Sequence, residues 1–287
     1  MPPVGIWGSV ILSRFLLSGK LNRMRTLPHG YYDCLREIRQ TIQSVDGWLT
    51  DREIEFLALL AACPTAEGEI LEIGSHRGKS TIALARASAL VESPSPISVV
   101  DPFPVSADTT PDEVGSDSAR SLFEKNLREA GVAGRIEINQ MLSGELAGDW
   151  DRPLRLLWID GDHTYEGAKI DMQGFTPFLV DGGMIACHDI LSPFGCTRAF
   201  RECVLENPHF GAAGFCGSIG WAKYHADPAD AERHAKRKRK LASKLLPLCI
   251  DKSFEYVHGL ERLSYRIHRW FVPHSRIRPE RWLRQVA

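Results

Sequence analysis

"LEIGSHRGKST", residues 71–81, decides how the rest of the chain is read. An apolar run leads into a glycine, and Gly-Lys-Ser-Thr closes the stretch. The loop that wraps phosphates in nucleotide-triphosphate enzymes has the spacing G-x-x-x-x-G-K-[ST]. Here only Ser75, His76 and Arg77 separate Gly74 from Gly78, one residue fewer than that pattern. The shorter ring leaves too few backbone N–H groups to enclose a phosphate. Glu72 would also set a carboxylate beside a polyphosphate, where like charges repel. A ligand with a positive centre and hydroxyls suits the same carboxylate. A dinucleotide loop needs G-x-G-x-x-G, and position 76 is His.

Working outward, short apolar runs alternate with amphipathic stretches. "EILEIGS", "ISVVDPF", "RIEINQM", "LRLLWIDG" and "GMIACHDI" read as five successive strands, and "GFCGSIGWAKY" as closing strands. Between them "KSTIALARASALV", "SARSLFEKNLREAGV", "TYEGAKIDMQGFTPFLV" and "TRAFRECVLE" read as helices. Strands alternating with helices in this way predict a parallel, doubly wound sheet. Upstream, residues 30–63 read as helices, with Thr50 and Glu53 spaced as a capping box. From about Asp227 the pattern changes to basic helical segments such as "RHAKRKRKLASKLL". The expected organisation is a helical extension over 1–65, a ligand-binding domain over 66–225 and a basic helical extension over 226–287.

The 287 residues carry 44% hydrophobic and 25% charged side chains, so a real core is expected. The net charge of −1 conceals an asymmetry: from Ala226 onward there are 15 Lys+Arg against 7 Asp+Glu. A basic tail on an acidic body points either to an anionic surface or to a solvated helical extension. The "AKRKRKLASK" run has no aromatic-rich reading surface beside it, which argues against nucleic acid. Seven cysteines without a C-x-x-C pair fit reduced, mostly buried thiols of a cytoplasmic protein, not a zinc site or disulfide scaffold. The N-terminal "VGIWGSVILSRFLLSGK" is interrupted by Arg14 and falls short of the ~20 apolar residues of a membrane span. Trp7, Val10, Ile11 and Phe15 recur at helical spacing. They suit a helix lying in a membrane surface or one packed on the domain.

In a doubly wound sheet ligands bind beyond the carboxyl ends of the strands, where strand order reverses. Gly74 lies at such an end, as does Asp101, an acid well placed to accept hydrogen bonds from ribose hydroxyls. Asp160, Asp162 and His163 follow the fourth strand, and His188 and Asp189 end the fifth. Two carboxylates with an imidazole can hold a divalent cation, and oxygen-rich ligation suits magnesium or manganese. Such an ion lowers the pKa of a substrate hydroxyl. His163 is the candidate general base, because imidazole titrates near working pH. Each residue also has a plainer role: Asp162 in a turn, His188 as a buried, hydrogen-bonded histidine, Glu166 at a positive helix start.

Three motifs in order now carry a resemblance. E-x-G-x-x-x-G-x-S at Glu72, Gly74, Gly78 and Ser80 resembles the first motif of class I S-adenosylmethionine-dependent methyltransferases. "VVDPF" resembles their ribose motif, and "WIDGDHTYEGAKIDMQGFTPFLVDGGMIACHDI" resembles a metal-dependent subgroup that methylates small-molecule or sugar hydroxyls. The resemblance spans roughly residues 66–224. It implies a Rossmann-like, seven-stranded, mostly parallel sheet with its last strand antiparallel. It further implies S-adenosylmethionine as cofactor, with Gly74, Ser75 and Gly78 near its methionine part, Asp101 on the ribose and Ser143 near the adenine. Met141 and Leu142 would supply an apolar wall or ordinary core. Catechol O-methyltransferases have a metal-binding Asp at the positions resembling Asp160 and Asp189. Macrolide-sugar methyltransferases have D-G-S-H where this chain has Asp160-Gly161-Asp162-His163, which carries the base to His163. Their fifth strand ends in Glu-Asp where this one has His188-Asp189, so the third metal ligand is His188 or water.

The leading expectation is therefore a metal-assisted O-methyltransferase acting on a hydroxyl of a sugar, glycoconjugate or other small molecule. The alternatives are a P-loop-like NTPase dependent on Lys79, and a non-catalytic module held on an anionic membrane through its N-terminus and tail. Apolar helices in both extensions would also suit pairing of subunits.

Overall fold

The computed structural model describes residues 26–103, 119–192, 195–249 and 259–287. The segment with Trp7, Val10, Ile11 and Phe15, and nearly all of the 102–117 loop, lie outside the described residues. The first helices are α1 (Tyr31–Thr41) and α2 (Asp51–Ala62). α2 starts as its sequence signals. The Glu53 carboxylate accepts from the Thr50 backbone N–H at 2.8 Å and from its hydroxyl at 2.5 Å, which serves groups that a helix start leaves bare.

Strand and helix then alternate through β1 (Glu69–Ile73), α3 (Lys79–Ser88), β2 (Ile97–Val100), α4 (Ala119–Glu129) and β3 (Ile136–Asn139). They continue through α5 (Ser143–Asp149), β4 (Leu154–Ile159), α6 (Tyr165–Phe175), β5 (Leu179–Cys187) and α7 (Gly195–Phe200). A hairpin of β6 (Phe210–Cys216) and β7 (Ile219–Tyr224) follows, then α8 (Pro228–Ala231), α9 (Ala235–Leu245), α10 (Gly259–Phe271) and α11 (Pro279–Val286). One boundary differs from the sequence-based expectation, which carried a helix through Val180. α6 stops at Phe175, a 3-10 turn holding Pro177 follows, and β5 begins at Leu179 opposite Leu154. Leu179 and Val180 join the sheet because Gly182, at φ +84°, lets the chain bend and re-enter register at Met184.

The seven strands lie in the order β3-β2-β1-β4-β5-β7-β6. β1 to β5 are parallel, and β7 runs antiparallel to both β5 and β6. This is the seven-stranded, mostly parallel sheet with an antiparallel last strand that the resemblance implies. The chain leaves β1 toward β2 and β3 and returns on the other side for β4 and β5, so strand order reverses between β1 and β4.

Side chains alternate across the strands and feed two apolar layers. Ile70, Val99, Trp158 and Ala186 face a layer with α1, α2 and α3; Leu71, Val100, Leu157 and Ile185 face a layer with α5, α6 and α7. Residues 226–287 contribute to both. Leu241 and Leu245 of α9 and Tyr265 of α10 enter the second layer, and Trp282, Leu283 and Val286 of α11 enter the first. The Trp282 ring lies 6.2 Å from both Phe56 and Trp221. Trp282→Ala would remove a side chain that is 1% exposed. A loss of about 3–5 kcal/mol in denaturant unfolding is expected, in one transition with the rest of the chain.

Candidate functional site

The sheet's hydrogen-bond ladder sets the site. Asp101 N–H donates to Asn139, Gly74 N–H to Val100, Asp160 N–H to Ile73 and His188 N–H to Ile159, each through the carbonyl at 2.8–3.1 Å. Asp101, Gly74, Asp160 and His188 therefore form a row at the carboxyl edge of β2, β1, β4 and β5. Gly74 and Asp160 flank the point where strand order reverses, which is where such sheets bind ligands. Gly74 has φ +77°, and a Cβ there would collide with the Asp160 carbonyl. The glycine is thus required by the approach of protein to protein. Gly78 also has positive φ, +87°, and lies against the Phe123 ring.

A cavity of about 640 Å³ opens on this edge, within the roughly 300–1,000 Å³ of small-molecule sites. Gly74, Asp101, Ser143, Asp160 and Asp171 line it with Ile73, Val100, Phe103, Leu142 and Ile170. A mixed lining of this kind fits a zwitterionic nucleoside. The loop's own hydrogen bonds settle what it holds. Asp101 Oδ2 accepts from the backbone N–H groups of Ser75 (2.8 Å) and His76 (3.0 Å) and from the Ser75 hydroxyl (3.2 Å). Asp101 Oδ1 accepts from Phe103 N–H at 2.7 Å and retains a lone pair for a ligand hydroxyl. The anion at this loop is internal to the protein. Lys79, on which the triphosphate alternative depends, donates its ammonium to the Gly47 carbonyl at 3.1 Å and does not line the cavity.

Beside the cavity, Asp160, His163 and Asp189 converge, with one ligand atom each all within 4.8 Å of one another. His163 Nε2 lies 3.7 Å from Asp160 Oδ1 and 3.4 Å from Asp189 Oδ2. Two carboxylates and an imidazole fit a hard divalent cation. His188 stands behind them. Its Nδ1 is 3.1 Å from Asp160 and 3.6 Å from Asp189, and its Nε2 faces Glu53 at 3.9 Å. Burial opposes ionisation of Asp160, yet His188 and His163 hold its carboxyl below the usual value. Burial likewise opposes protonation of His188, and Asp160 and Glu53 outweigh it, raising the imidazole to about 10. The Asp160 carboxylate raises His163 against its burial, with Asp189 adding to the effect. Glu53, opposed by burial, is driven far down by His188, Thr50 and Ser218.

Backbone strain marks the same place. Among the described residues, His76 (φ 47°), Phe103 (φ 47°) and Asp189 (φ 54°) are the non-glycines with positive φ. His76 and Phe103 line the cavity, and Asp189 belongs to the carboxylate–imidazole cluster. Such conformations persist where surrounding structure imposes them, and they gather at functional sites.

The residues expected from sequence are distributed in two shells. Gly74, Asp101, Ser143 and Asp160 line the cavity; Glu72, Ser75, Gly78 and Ser80 do not. Glu72 is fully buried and accepts from the Ser80 hydroxyl on α3. The converging cluster includes His163; the sequence left the third metal ligand to His188 or water. Asp162 accepts from the Thr164 N–H at 2.8 Å and hydroxyl at 3.0 Å, the turn role. Leu142 is exposed at the cavity wall rather than buried. Two residues were missed. Asp171 lines the cavity, accepts from Ser143, and is pushed up to about 6 by burial. It occupies an apolar stripe with Ala168, Met172 and Phe175 at helical spacing, and that misplaced carboxyl was the available signal. Glu53 looked like a helix cap alone, yet its Oε1 also accepts from Ser218 N–H at 2.6 Å and hydroxyl at 2.8 Å.

A family profile described as a methyltransferase domain matches residues 71–190. Among solved structures the chain is similar to an O-methyltransferase from Bacillus cereus in complex with SAH, at 18% identity and TM-score 0.48, covering 74% of this chain and 94% of that one. It is similar also to the O-methyltransferase TomG from Streptomyces achromogenes, in complex with SAM, at 18% identity and TM-score 0.49, covering 68% and 90%. A third is CalS11, a TDP-rhamnose 3'-O-methyltransferase, at 16% identity and TM-score 0.45, covering 68% and 94%.

Glu72 provides a pH test of this packing. Burial raises its carboxyl from an ordinary 4.5 to about 8, against the hydrogen bond from Ser80. Its folded-state pKa lies above its unfolded one, so the fold favours the neutral form. The resulting penalty is absent below pH 4.5, grows toward pH 8 and is constant above. Glu72→Gln cannot ionise, so it should gain on the parent between pH 5 and pH 8 by on the order of 1–3 kcal/mol. Denaturant midpoints at the two pH values measure this; an unchanging difference would contradict it.

Proposed function

We propose that the methyltransferase domain matched over residues 71–190 is S-adenosylmethionine-dependent, and that this enzyme methylates a hydroxyl of a sugar, glycoconjugate or other small molecule. The observation that carries the reading is the convergence of Asp160, His163 and Asp189 beside the cavity that Asp160 also lines. S-adenosylmethionine supplies an electrophilic methyl on a sulfonium centre. The acceptor must present an oxygen nucleophile, and a hydroxyl becomes one as its proton leaves.

His163 is placed to take that proton. Its ring is partly exposed, and the two carboxylates beside the buried Nε2 stabilise the imidazolium that results. His188 and Glu53 position Asp160 from behind through a buried line of alternating charge. Asp101 holds the glycine loop in shape and offers Oδ1 toward a ribose hydroxyl. A divalent cation held by Asp160 and Asp189, with His188 or water as third donor, would lower the pKa of the acceptor hydroxyl.

Titration calorimetry with S-adenosylmethionine tests the premise; absence of binding would end this reading. In a methyl-transfer screen with radiolabelled cofactor over candidate sugars and glycans, His163→Ala is expected to lower kcat about 10²–10⁴-fold. Its cofactor affinity should stay within a few-fold of the parent. Chelation addresses the ion separately: loss of activity restored by magnesium supports the cation, and unchanged activity removes the cation while leaving His163 as base.

A further inference from the structure

α10 has two apolar faces, and the fold uses one. Tyr265 on α10, and Val272 just beyond it, pack into the second core layer. On the other side Leu260, Leu263, Ile267, Trp270 and Phe271 stand in solvent, with Leu260 84% and Trp270 79% exposed. At about 100° per residue these five side chains fall within an arc of about 100°. A contiguous strip of this kind on a protein surface marks an interaction site. Arg266 borders the strip and is itself exposed. The Lys244 ammonium of α9 donates to the Phe271 carbonyl at 2.6 Å, which holds the end of α10 beside α9. α9 exposes Lys236, Arg239 and Lys240.

Charge decides what covers the strip. From Ala226 onward there are 15 Lys+Arg against 7 Asp+Glu. A second copy docked through α10 would bring two such basic segments together. Residues 1–25 hold Arg14, Lys20, Arg23 and Arg25 with no Asp or Glu, so they meet the same repulsion. An anionic bilayer has no such conflict. Its headgroups attract the cations while its hydrocarbon boundary takes the apolar strip, and Trp270 is of the type favoured at that boundary. We infer that α10, flanked by the cations of α9, seats this protein on an anionic membrane surface, with the helix lying in the interface plane. Among the described residues no helix is long and apolar enough to cross a membrane. This inference does not rest on the methyl-transfer reading, and it would place lipid-linked acceptors within reach.

The test floats the full chain with vesicles of phosphatidylcholine alone and of phosphatidylcholine with phosphatidylglycerol. The protein should float with the anionic vesicles only, and less as salt is raised. Leu263→Asp/Ile267→Asp alters two exposed side chains; it should keep the parent's melting temperature and lose vesicle partitioning about ten-fold or more. Failure of the parent to float overturns the inference. Equal flotation of parent and variant also overturns it, by placing the contact elsewhere in the chain. A dimer in light scattering that the variant abolishes, without vesicle binding, overturns it in favour of a second copy.

Discussion

The site depends on the reversal of strand order between β1 and β4. Parallel pairing there fixes Ile73 opposite Ile159, so the residues that follow, Gly74 and Asp160, emerge side by side. Their backbones approach so closely that only a glycine fits at position 74. Pairing of β4 with β5 then sets His188 next in the row and Asp189 beyond it. One ladder thus delivers Asp160, His188 and Asp189 to one edge. No loop has to search for that arrangement, because the sheet's main-chain hydrogen bonds impose it.

Buried carboxylates do the remaining positioning. Asp101 gathers the N–H groups of the glycine loop, taking the place an external phosphate would need. Glu72 is sealed against α3 and favours its neutral form. Glu53 reaches from α2 to Ser218 at the β6–β7 turn and faces His188. A helix upstream of the sheet, the last hairpin and the carboxyl edge of the strands are therefore linked through a single side chain. The left-handed backbone at His76, Phe103 and Asp189 lies in the same region and is held by the same network.

The helices after β7 show how one segment can serve two ends. α9 and α11 bury apolar side chains against opposite faces of the sheet, whereas α10 leaves most of its apolar side chains in solvent. A purely structural helix would not expose Trp270 and Leu260 while burying little beyond Tyr265.

By itself the sequence determined the alternation of strand and helix and the edge on which the site would lie, through local signals: apolar periodicity, glycine at the loop, and acids at strand ends. The seven-stranded class of sheet was what its resemblance to a methyltransferase family implied. The sequence also placed Asp101, Asp160, His163 and Asp189 near one edge, since the ends of neighbouring parallel strands share it. Tertiary structure alone decided that His188 turns inward to Asp160 and Glu53, and that Asp171 faces the cavity. It alone decided that Glu72 and Ser80 lie behind the wall. Those outcomes depend on which way a side chain points once distant segments pack, and on charges more than 100 residues apart meeting in a buried place. Spacing along the chain carries no record of either.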